Sequence, residues 1–543
     1  MEHLSLKRKI YIMIAVMAAM FFSAVNQTIV GTALPRIIAE LDGIDYYTWV
    51  ITMYLLTSTI STILVGKLSD IYGRKPFILC GIVLFMIGAF MCGTSADIFQ
   101  LIAYRGVQGL GAGVIMATAF TAIGDLFSPR ERGRWSGIMM SVFGVSSIIG
   151  PTLGGYIVDH WAWHWVFWIF LPLGFVALAM IMALYPKTEK TPGEPIDYAG
   201  SLLLTLTIVP MLLAFSWAGV KYAWDSPQII GLFAAAFVSL GLLLLVESKV
   251  KSPVLPLRQF RIGIVAVANT VSFILNAGMM GALIYIPFFV QGVEGVSPTY
   301  SGYITMPMTL GMVLMSAICG QIITKTGKYK KLALIGIAIM ALGMVMMTLM
   351  NSVLVAVLSM IVFGFGLGMA LPIFSLVVQN AVPPRDLGAA TATTQLFRSL
   401  GGTIGIAVMG TVMTSGIKIK MKQDMANVDA AELAQLDPKL LQAVDGLQNP
   451  QILLDQPKLK QFLASLPAGV HDIFVKAVDA LRDSVAYGLS EVFLTGTITI
   501  VVAFLLTFFL KEVTLRTSNK DNTRHYGEDG RQMRLNLTRA EKN

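Results

Sequence analysis

The sequence predicts an all-α integral membrane protein whose fourteen transmembrane helices are arranged as six, two and six. The composition is 55% apolar and only 13% charged, with a mean hydropathy of +0.72. Soluble domains contain about 25% charged residues, so lipid is the expected solvent. The charged residues also leave long uncharged intervals between them, and about 20 apolar residues suffice for a helix to cross the hydrocarbon core.

These intervals, together with two stretches that hold a single charge each (98–124 with Arg105 and 387–417 with Arg398), give the predicted helices in chain order. Helices 1 to 6 occupy 10–35, 46–66, 76–96, 98–124, 135–158 and 161–186. Helices 7 and 8 occupy 198–220 and 226–246, and helices 9 to 14 occupy 262–293, 295–324, 332–384 (two crossings with a turn near Asn351), 387–417 and 492–510. The first interval is too long for a signal peptide and lacks a small-residue cleavage pattern, so we expect a retained helix.

Basic residues fall on alternate loops, which predicts the orientation of the chain. With the N-terminus in the cytoplasm, the loops on that side contain lysine and arginine clusters such as 67–75, 130–134 and 325–331, whereas the short outer loops contain only Arg36 and Lys221. This asymmetry follows the positive-inside rule. The net charge of +9 is therefore expected to orient a plasma-membrane protein with both termini cytoplasmic, and not to bind nucleic acid. A bacterial membrane fits, because the large outer loop has no usable glycosylation site.

The predicted organisation has six parts, of which two are repeated halves. They are a six-helix bundle 1–186, an inserted helix pair 187–261, a second bundle 262–417, an extracellular segment 418–487, a last helix 488–510 and a cytoplasmic tail 511–543. The loops Gly66–Lys75 and Gly320–Lys330 share a glycine spacing and lie 254 residues apart, as repeated transporter halves do. Helical spacing near the end of 418–487 predicts a helical hairpin over the outer mouth; an inert amphipathic spacer is the alternative.

The loop between helices 2 and 3 contains the first motif, Gly66-Lys-Leu-Ser-Asp-Ile-Tyr-Gly-Arg-Lys75. It resembles the G-x-L-x-D-x-x-G-R-K motif of the major facilitator superfamily, and that resemblance implies the fold of that superfamily. Gly66 and Gly73 are expected to permit a tight turn, with Asp70 near the N-terminus of helix 3 or of a neighbouring helix. Arg74 can pair with Asp70, and the cluster is expected to hold one conformation closed at the cytoplasmic face.

Helix 4 contains a second motif, formed by Arg105, Gln108 and Gly109. An arginine at membrane depth costs roughly 2.5–3.5 kcal/mol or more, so Arg105 is expected to face a cavity or a polar partner. The motif resembles a second one of the same superfamily, in which such an arginine is linked to proton coupling. A structural brace between helices is the alternative.

Helix 5 contains a third motif, formed by Gly150, Pro151, Gly154 and Gly155. It resembles the antiporter-associated G-P-x-x-G-G motif, which implies export rather than uptake. Glycines four residues apart allow close helix packing, and a proline frees a carbonyl so that the helix can bend. Together the three motifs resemble those of the fourteen-helix drug:proton antiporter family. The resemblance implies efflux of amphipathic drugs or toxic compounds by alternating access, with the proton gradient as energy source and no cofactor.

Helix 1 departs from that family at Asn26, where the family commonly has aspartate. All 31 carboxylates lie outside the predicted spans, with Glu491 at the edge of helix 14. Asparagine cannot titrate, so proton coupling is expected elsewhere. The candidates are Asp70 with Arg105 on the inside, and Asp159, His160 and His164 near the outer mouth. The latter three are alternatively interfacial residues beside a tryptophan belt.

The substrate pathway is expected near the membrane midplane between the two halves. Its candidate residues are polar groups at membrane depth and methionines, whose flexible thioethers suit varied apolar shapes. They are Asn26, Gln27, Tyr54, Asn269, Asn276, Met279, Met306, Gln395 and Arg398.

Three functions remain open from the sequence. The first is multidrug efflux by proton antiport, and the second is dedicated export of a lipid or other amphiphile without an intramembrane carboxylate. The third is a membrane sensor that does not transport. The sequence contains no phosphate-binding loop, metal-ligand cluster or catalytic constellation, so we expect neither an enzyme nor an ATP-driven pump. The expected partners are small amphipathic substrates and membrane lipids, and the expected state is a monomer.

Overall fold

The computed structural model describes most of residues 4–513 and includes fourteen helices long and apolar enough to cross a membrane. Within this span the longest undescribed stretch is most of 426–467. The undescribed residues are 42–46, 187–196, 219–221, 251–252, 256, 297, 384–385, 426–452, 454–458, 460, 462 and 465–467. The described part contains no β-strand, only an isolated bridge between Ala218 and Tyr222. The predicted fold class and helix count are confirmed.

The first bundle consists of six long helices, and a one-turn helix precedes the sixth. They are α1 (Leu6–Leu41), α2 (Tyr47–Tyr72), α3 (Arg74–Gly93), α4 (Ile98–Leu126), α5 (Pro129–His160) and α6 (Leu171–Leu184), the last preceded by the one-turn helix Trp165–Trp168. Local capping sets their starts. Asp97 accepts a hydrogen bond from the backbone N–H of Gln100 at 2.9 Å and caps α4. Ser128 and Glu131 form a capping box at the start of α5.

The inserted pair consists of α7 (Tyr198–Trp217) and α8 (Pro227–Glu247). A small apolar cluster attaches the pair to both bundles: Leu204 of α7 and Leu243 of α8 pack with Ile63 of α2 and Leu396 of the thirteenth helix. Most of α8 is exposed, including Phe237. The pair therefore lies at the periphery and leaves the space between the bundles to the other twelve helices.

The second bundle also has six helices. They are α9 (Gly263–Phe288), α10 (Pro298–Thr326), α11 (Lys330–Thr348), α12 (Val353–Ala381), α13 (Leu387–Met425) and α14 (Ala468–Thr507). The predicted turn near Asn351 separates α11 from α12, as expected.

The segment 418–487 differs from its predicted form where it is described. Its first residues continue α13 as far as Met425, and its last residues belong to α14, which begins at Ala468. The predicted boundary at 488 therefore falls inside a helix, and Glu491 lies within α14 rather than at its edge. The central part of the proposed hairpin, and the tail from 514 onward, lie outside the described residues.

The two bundles repeat the same turn between their second and third helices. Gly73 and Gly327, 254 residues apart, have φ angles of 89° and 70°, a region that side chains other than glycine disfavour. Gly66 and Gly320, which the sequence placed at the helix ends, instead lie inside α2 and α10. The expectation that Gly66 forms part of the turn is wrong; its small size serves a helix contact.

The loops rich in lysine and arginine gather at one end of the protein, which we name the basic end. The Lys9 ammonium lies 5.7 Å from the centre of the Phe127 ring, so the start of α1 reaches the loop after α4. The Tyr329 hydroxyl donates to the carbonyl of Lys511 at 2.9 Å, so the residues after α14 reach the loop after α10. Both ends of the described chain therefore lie at the basic end, as an even number of crossings requires.

Candidate substrate pathway and the contacts that close it

A carboxylate of the first bundle binds the start of a helix in the second. Asp70, near the end of α2, accepts hydrogen bonds from the backbone N–H groups of Gly388 at 3.0 Å and Ala389 at 2.9 Å. These groups belong to the first turn of α13, where N–H groups lack partners within the helix and a negative charge is favoured. Arg74 forms an ion pair with Asp70, and its Nε lies 3.0 Å from Oδ2 of Asp125. We name these five residues the latch.

The surroundings of the latch exclude most water. Arg74 also donates to the Ser69 hydroxyl at 2.7 Å, and the side chains of Asp70 and Arg74 are 3% and 5% exposed. Burial above all, and the Asp125 carboxylate, raise the pKa of Tyr185, so this phenol stays neutral beside Arg74. In such surroundings charged hydrogen bonds are stronger than in water, and so is the penalty for breaking them.

Small residues let the bundles touch next to the latch. A Cβ atom on Gly66 would overlap the Cβ of Ala392 and lie 2.9 Å from the Gly388 carbonyl oxygen. The symmetry-related contact joins α5 and α10, where a Cβ on Gly137 would lie 2.5 Å from the Ser316 carbonyl oxygen. Any larger side chain at Gly66 or Gly137 would hold the bundles apart at the basic end.

A second cross-bundle contact involves Arg132, which the sequence analysis counted only as a loop charge. Its guanidinium donates to the carbonyls of Gly124 at 2.8 Å, Phe127 at 3.2 Å and Gln379 at 3.2 Å, and it is 1% exposed. Gln379 belongs to α12 of the second bundle. The capping box around Ser128 sets the position of Arg132 in the first turn of α5. The contact with the Gln379 carbonyl, 247 residues further along the chain, has no signal in the sequence.

The first bundle contains a connected group of polar side chains at membrane depth. Arg105 donates to Oε1 of Gln108 at 2.7 Å, and Gln108 donates through Nε2 to Oδ1 of Asn26 at 2.9 Å. Arg105 also donates to the Val50 carbonyl at 3.4 Å and lies 4.1 Å from the centre of the Tyr54 ring. The structure thus brings together four residues predicted from three separate helices.

The partners of Arg105 in this group are neutral. Asn26 is buried, and its Nδ2 has no hydrogen-bond partner among the described residues. A Cβ on Gly109 would overlap the backbone of Tyr54, so the glycine allows α2 to approach α4 and bring the Tyr54 ring over Arg105. A cation over an aromatic face is stabilised by about 2 kcal/mol when desolvated. Arg105 is therefore held by polar and aromatic partners from α2 and α4.

The predicted pathway residues of the second bundle fall into two groups. Asn269 accepts from the Thr394 hydroxyl at 2.8 Å, and Asn276 donates to the Ser272 carbonyl at 2.8 Å, so both amides are buried and bonded within the bundle. Met279 is 4% exposed and packs in the hydrophobic core of the second bundle. The half-buried residues are Met306, Gln395 and Arg398.

Helix α1 has an open stripe toward the end opposite the basic end. Gln27 is exposed, and Gly31, one turn further, has open space around it. On the adjacent face a Cβ at Gly150 of α5 would overlap the Thr28 hydroxyl, so this glycine is a packing residue. Gly154 is buried and Gly155 is open, whereas the side chain of Pro151 lies outside the described residues.

The outer histidines are held by aromatic contacts. His160 is exposed, with Nδ1 3.0 Å from the Tyr156 carbonyl, and its ring stacks on Tyr156. His164 stacks on Trp163 with ring centres 3.9 Å apart. The side chain of Asp159 is outside the described part of the structure. These surroundings agree with an interfacial role in the tryptophan belt.

Known proteins resemble this chain over nearly its whole length. The sequence pattern of the Major Facilitator Superfamily matches residues 16–406. The chain is 38% identical over 509 residues to Multidrug transporter protein MdtP of Bacillus subtilis (strain 168), which covers 92% of each. It is 33% identical over 512 residues to Multidrug resistance protein 3 of the same organism, covering 94% of this chain and 96% of that one. The human organic anion transporter MFSD10 (TETRAN) has the same fold, with a TM-score of 0.60, 14% identity and coverage of 92% and 99%.

Proposed function

The chain belongs to the major facilitator superfamily, and on that premise we propose that it is a secondary active efflux transporter for amphipathic compounds. The latch supports this proposal most strongly, because it joins the two bundles at one end only through groups that can separate. Alternating access requires such a contact, which is made in one conformation and broken in the other. The relatives named multidrug transporters support export as the direction.

The orientation follows from the charges of the loops. Lysine and arginine in short loops favour the cytoplasmic side, so the basic end is cytoplasmic and both termini face the cytoplasm. With the basic end closed by the latch and the stripe at Gln27 open, the structure then corresponds to the outward-facing state. The protein works in the plasma membrane, as a monomer that meets its amphipathic substrates at or within the lipid.

The proton gradient drives the cycle through Asp70. A proton that reaches Asp70 from the outer side neutralises its carboxylate, which removes the single negative charge that both binds the first turn of α13 and pairs with Arg74. The latch then opens toward the cytoplasm, and loss of the proton there closes it again. Each proton that crosses the membrane releases about 2.3 kcal/mol per 100 mV, which is comparable with one charge-assisted hydrogen bond.

A second candidate is dedicated export of one lipid or amphiphile without carboxylate coupling. The neutral Asn26 favours it, because the group Asn26, Gln108 and Arg105 contains no proton-binding carboxylate. The two candidates share the transport cycle and differ in substrate range and in the energy source.

Accumulation in inside-out membrane vesicles tests the proposal. Vesicles enriched in this protein are energised with an acidic interior, without ATP, and given fluorescent amphiphiles of positive, negative and no charge. We expect accumulation of at least one amphiphile, abolished by a protonophore and absent from vesicles without the protein. Accumulation that persists with the protonophore would favour the second candidate. No accumulation of any amphiphile would contradict transport and favour a sensor.

A further inference from the structure

We infer that the exported amphiphile bears an oxyanion, such as a carboxylate, sulfonate or phosphate, and that Arg398 of α13 binds it. The inference rests on the proposed function, since it names the class of substrate for that pathway. It follows from a half-buried arginine at membrane depth that has no hydrogen-bond or ion-pair partner among the described residues.

Arg398 lies on a stripe of α13 whose two ends contact α12 and α9 of the same bundle. Residues three and four positions apart share a face of a helix, and Thr391, Gln395, Arg398 and Gly402 form such a stripe on α13. At one end of this stripe the Thr391 hydroxyl accepts from Nε2 of Gln379 at 3.2 Å. At the other end a Cβ on Gly402 would lie 3.3 Å from Cγ of Met280 on α9. Arg398 lies between these two contacts, and we assign this stripe to the side of α13 that lines the pathway.

Arg398 also lies at the depth of the membrane midplane. It follows Gly388 of the latch by ten residues, which at about 1.5 Å per residue is about 15 Å along the helix. The hydrocarbon core is about 30 Å thick. A guanidinium at this depth is costly unless water or a counter-ion solvates it.

The buried arginines among the described residues each have hydrogen-bond, ion-pair or aromatic partners for their charge. Arg74 pairs with two carboxylates, Arg132 donates to three carbonyls, and Arg105 has Gln108 and the Tyr54 ring. Arg398, in contrast, has neither a hydrogen bond nor an ion pair with any described residue. It is half-buried, so part of its side chain remains accessible to a ligand. A guanidinium offers a planar fork of donors that matches an oxyanion with two hydrogen bonds.

The rest of the inner surface disfavours a cationic substrate. The only other charge described in the middle of the pathway is Arg105, and the residue facing it across Gln108 is Asn26 rather than an acid. Two positive charges in a weakly polar space repel a cation and attract an anion. Met280 of α9, beside Gly402 of this stripe, supplies the flexible apolar surface that the body of an amphiphile needs.

Three probes with one apolar body and different heads test the inference. Pyrenebutanoate, pyrenebutanol and pyrenebutyl-trimethylammonium share the pyrene body and have anionic, neutral and cationic head groups. The purified full chain in phosphatidylcholine vesicles is titrated with each at about pH 7.5, where a carboxylate is ionised, and binding is read as energy transfer from tryptophan to pyrene. The variants are Arg398→Gln, Arg398→Lys and, as a matched control on the surface, Arg482→Gln.

We expect the native chain to bind pyrenebutanoate at least about tenfold more tightly than the ammonium probe, since a desolvated charge pair is worth at least about 1.4 kcal/mol. Arg398→Gln should remove that preference while binding of pyrenebutanol stays the same, and Arg398→Lys should keep part of it. Arg482→Gln should bind as the native chain does. Because the readout is a ratio between probes in one sample, a partly unfolded variant does not imitate the result.

Two results would overturn the inference: equal or tighter binding of the ammonium probe by the native chain, or an unchanged preference in Arg398→Gln. Counterflow of the same probes separates this result from the fate of the transport proposal. Flux of the probes without preference for the anion overturns the anionic substrate and supports efflux. A preference that depends on Arg398 without flux of any probe supports the oxyanion site and contradicts efflux.

Discussion

The Asp70 carboxylate of the first bundle accepts the backbone N–H of Gly388 in the second bundle at 3.0 Å, across 318 residues of sequence. This bond places an acidic side chain on the first turn of α13, so a change of one proton alters the contact between the bundles. It also explains why Gly388 is small, because a Cβ there would overlap the Gly66 carbonyl and lie 2.6 Å from the carboxylate.

Gly66→Leu should prevent closure at the basic end. Its side chain would overlap Ala392 and the start of α13, and overpacking of this kind costs about 1–3 kcal/mol or more. We expect at least a tenfold loss of efflux in energised vesicles, with normal amounts of protein in the membrane. The control Gly241→Leu places the same side chain on α8, where no atom lies within 4 Å, and should transport normally. Full activity of Gly66→Leu would show that this contact is not made in the cycle.

Asp70→Asn should weaken the latch without changing its shape. An amide nitrogen replaces one carboxylate oxygen, so one N–H of α13 loses its acceptor and Arg74 loses a charge partner. Charged hydrogen bonds contribute about 1.5–3 kcal/mol, so the population open at the basic end should rise roughly tenfold or more.

The rise can be measured by maleimide labelling of Gln395→Cys, in a chain whose Cys80, Cys92 and Cys319 are replaced. Labelling from the basic end should accelerate with Asp70→Asn. It should stay the same with Asp479→Asn, which removes a charge from an exposed pair. Equal labelling rates with and without Asp70→Asn would contradict the role of this carboxylate.

Arg132→Ala should lower thermal stability, because three carbonyls, including that of Gln379 across the bundle interface, lose their donor. Unsatisfied buried groups cost about 1–3 kcal/mol each, so the apparent Tm in detergent should fall by several degrees. Arg134→Ala removes an exposed arginine two residues away and should leave Tm unchanged. An apparent Tm equal to that of the native chain in both variants would contradict this role of Arg132.

Asn26→Asp should turn the substrate preference toward cations. The new carboxylate is isosteric with the amide, keeps the acceptor for Gln108 and offsets the charge of Arg105. We expect a several-fold increase in proton-dependent accumulation of a lipophilic cation in energised inside-out vesicles. Asn351→Asp makes the same chemical change in an exposed loop and should have no effect. If the native chain already exports the cation fast and Asn26→Asp does not increase the rate, the claim that the uncharged Asn26 disfavours cationic substrates is contradicted.

The sequence predicted the helix count and the pairing of Asp70 with Arg74 because both depend on residues close in sequence. It predicted the repeat because each half contains the same short glycine pattern. Charges bound the spans, and Gly73 and Gly327 mark equivalent turns. The contacts between bundles could not be predicted, because the partners of Asp70 and Arg132 are backbone groups hundreds of residues away. Backbone N–H and carbonyl groups are present at every residue, so the sequence does not mark those that bind.

Helix ends were less well predicted than helix number, for a physical reason. The predicted spans end next to charged residues, but helices α13 and α14 continue beyond the hydrocarbon core with polar residues. A methionine in an apolar helix gives no indication of which face is inward. Met279 packs in the hydrophobic core, whereas the adjacent Met280 reaches the stripe that contains Arg398.

The distance between the loops after α2 and α10 tests the central claim most directly. Spin labels at Tyr72→Cys and Lys328→Cys, both exposed and one in each bundle, report whether the basic end is closed. We predict a short distance at neutral pH in proteoliposomes, and a second population several ångströms longer when the solution is acidified or when Asp70→Asn is introduced. A single unchanged distance under all three conditions would contradict transport by opening and closing of the latch.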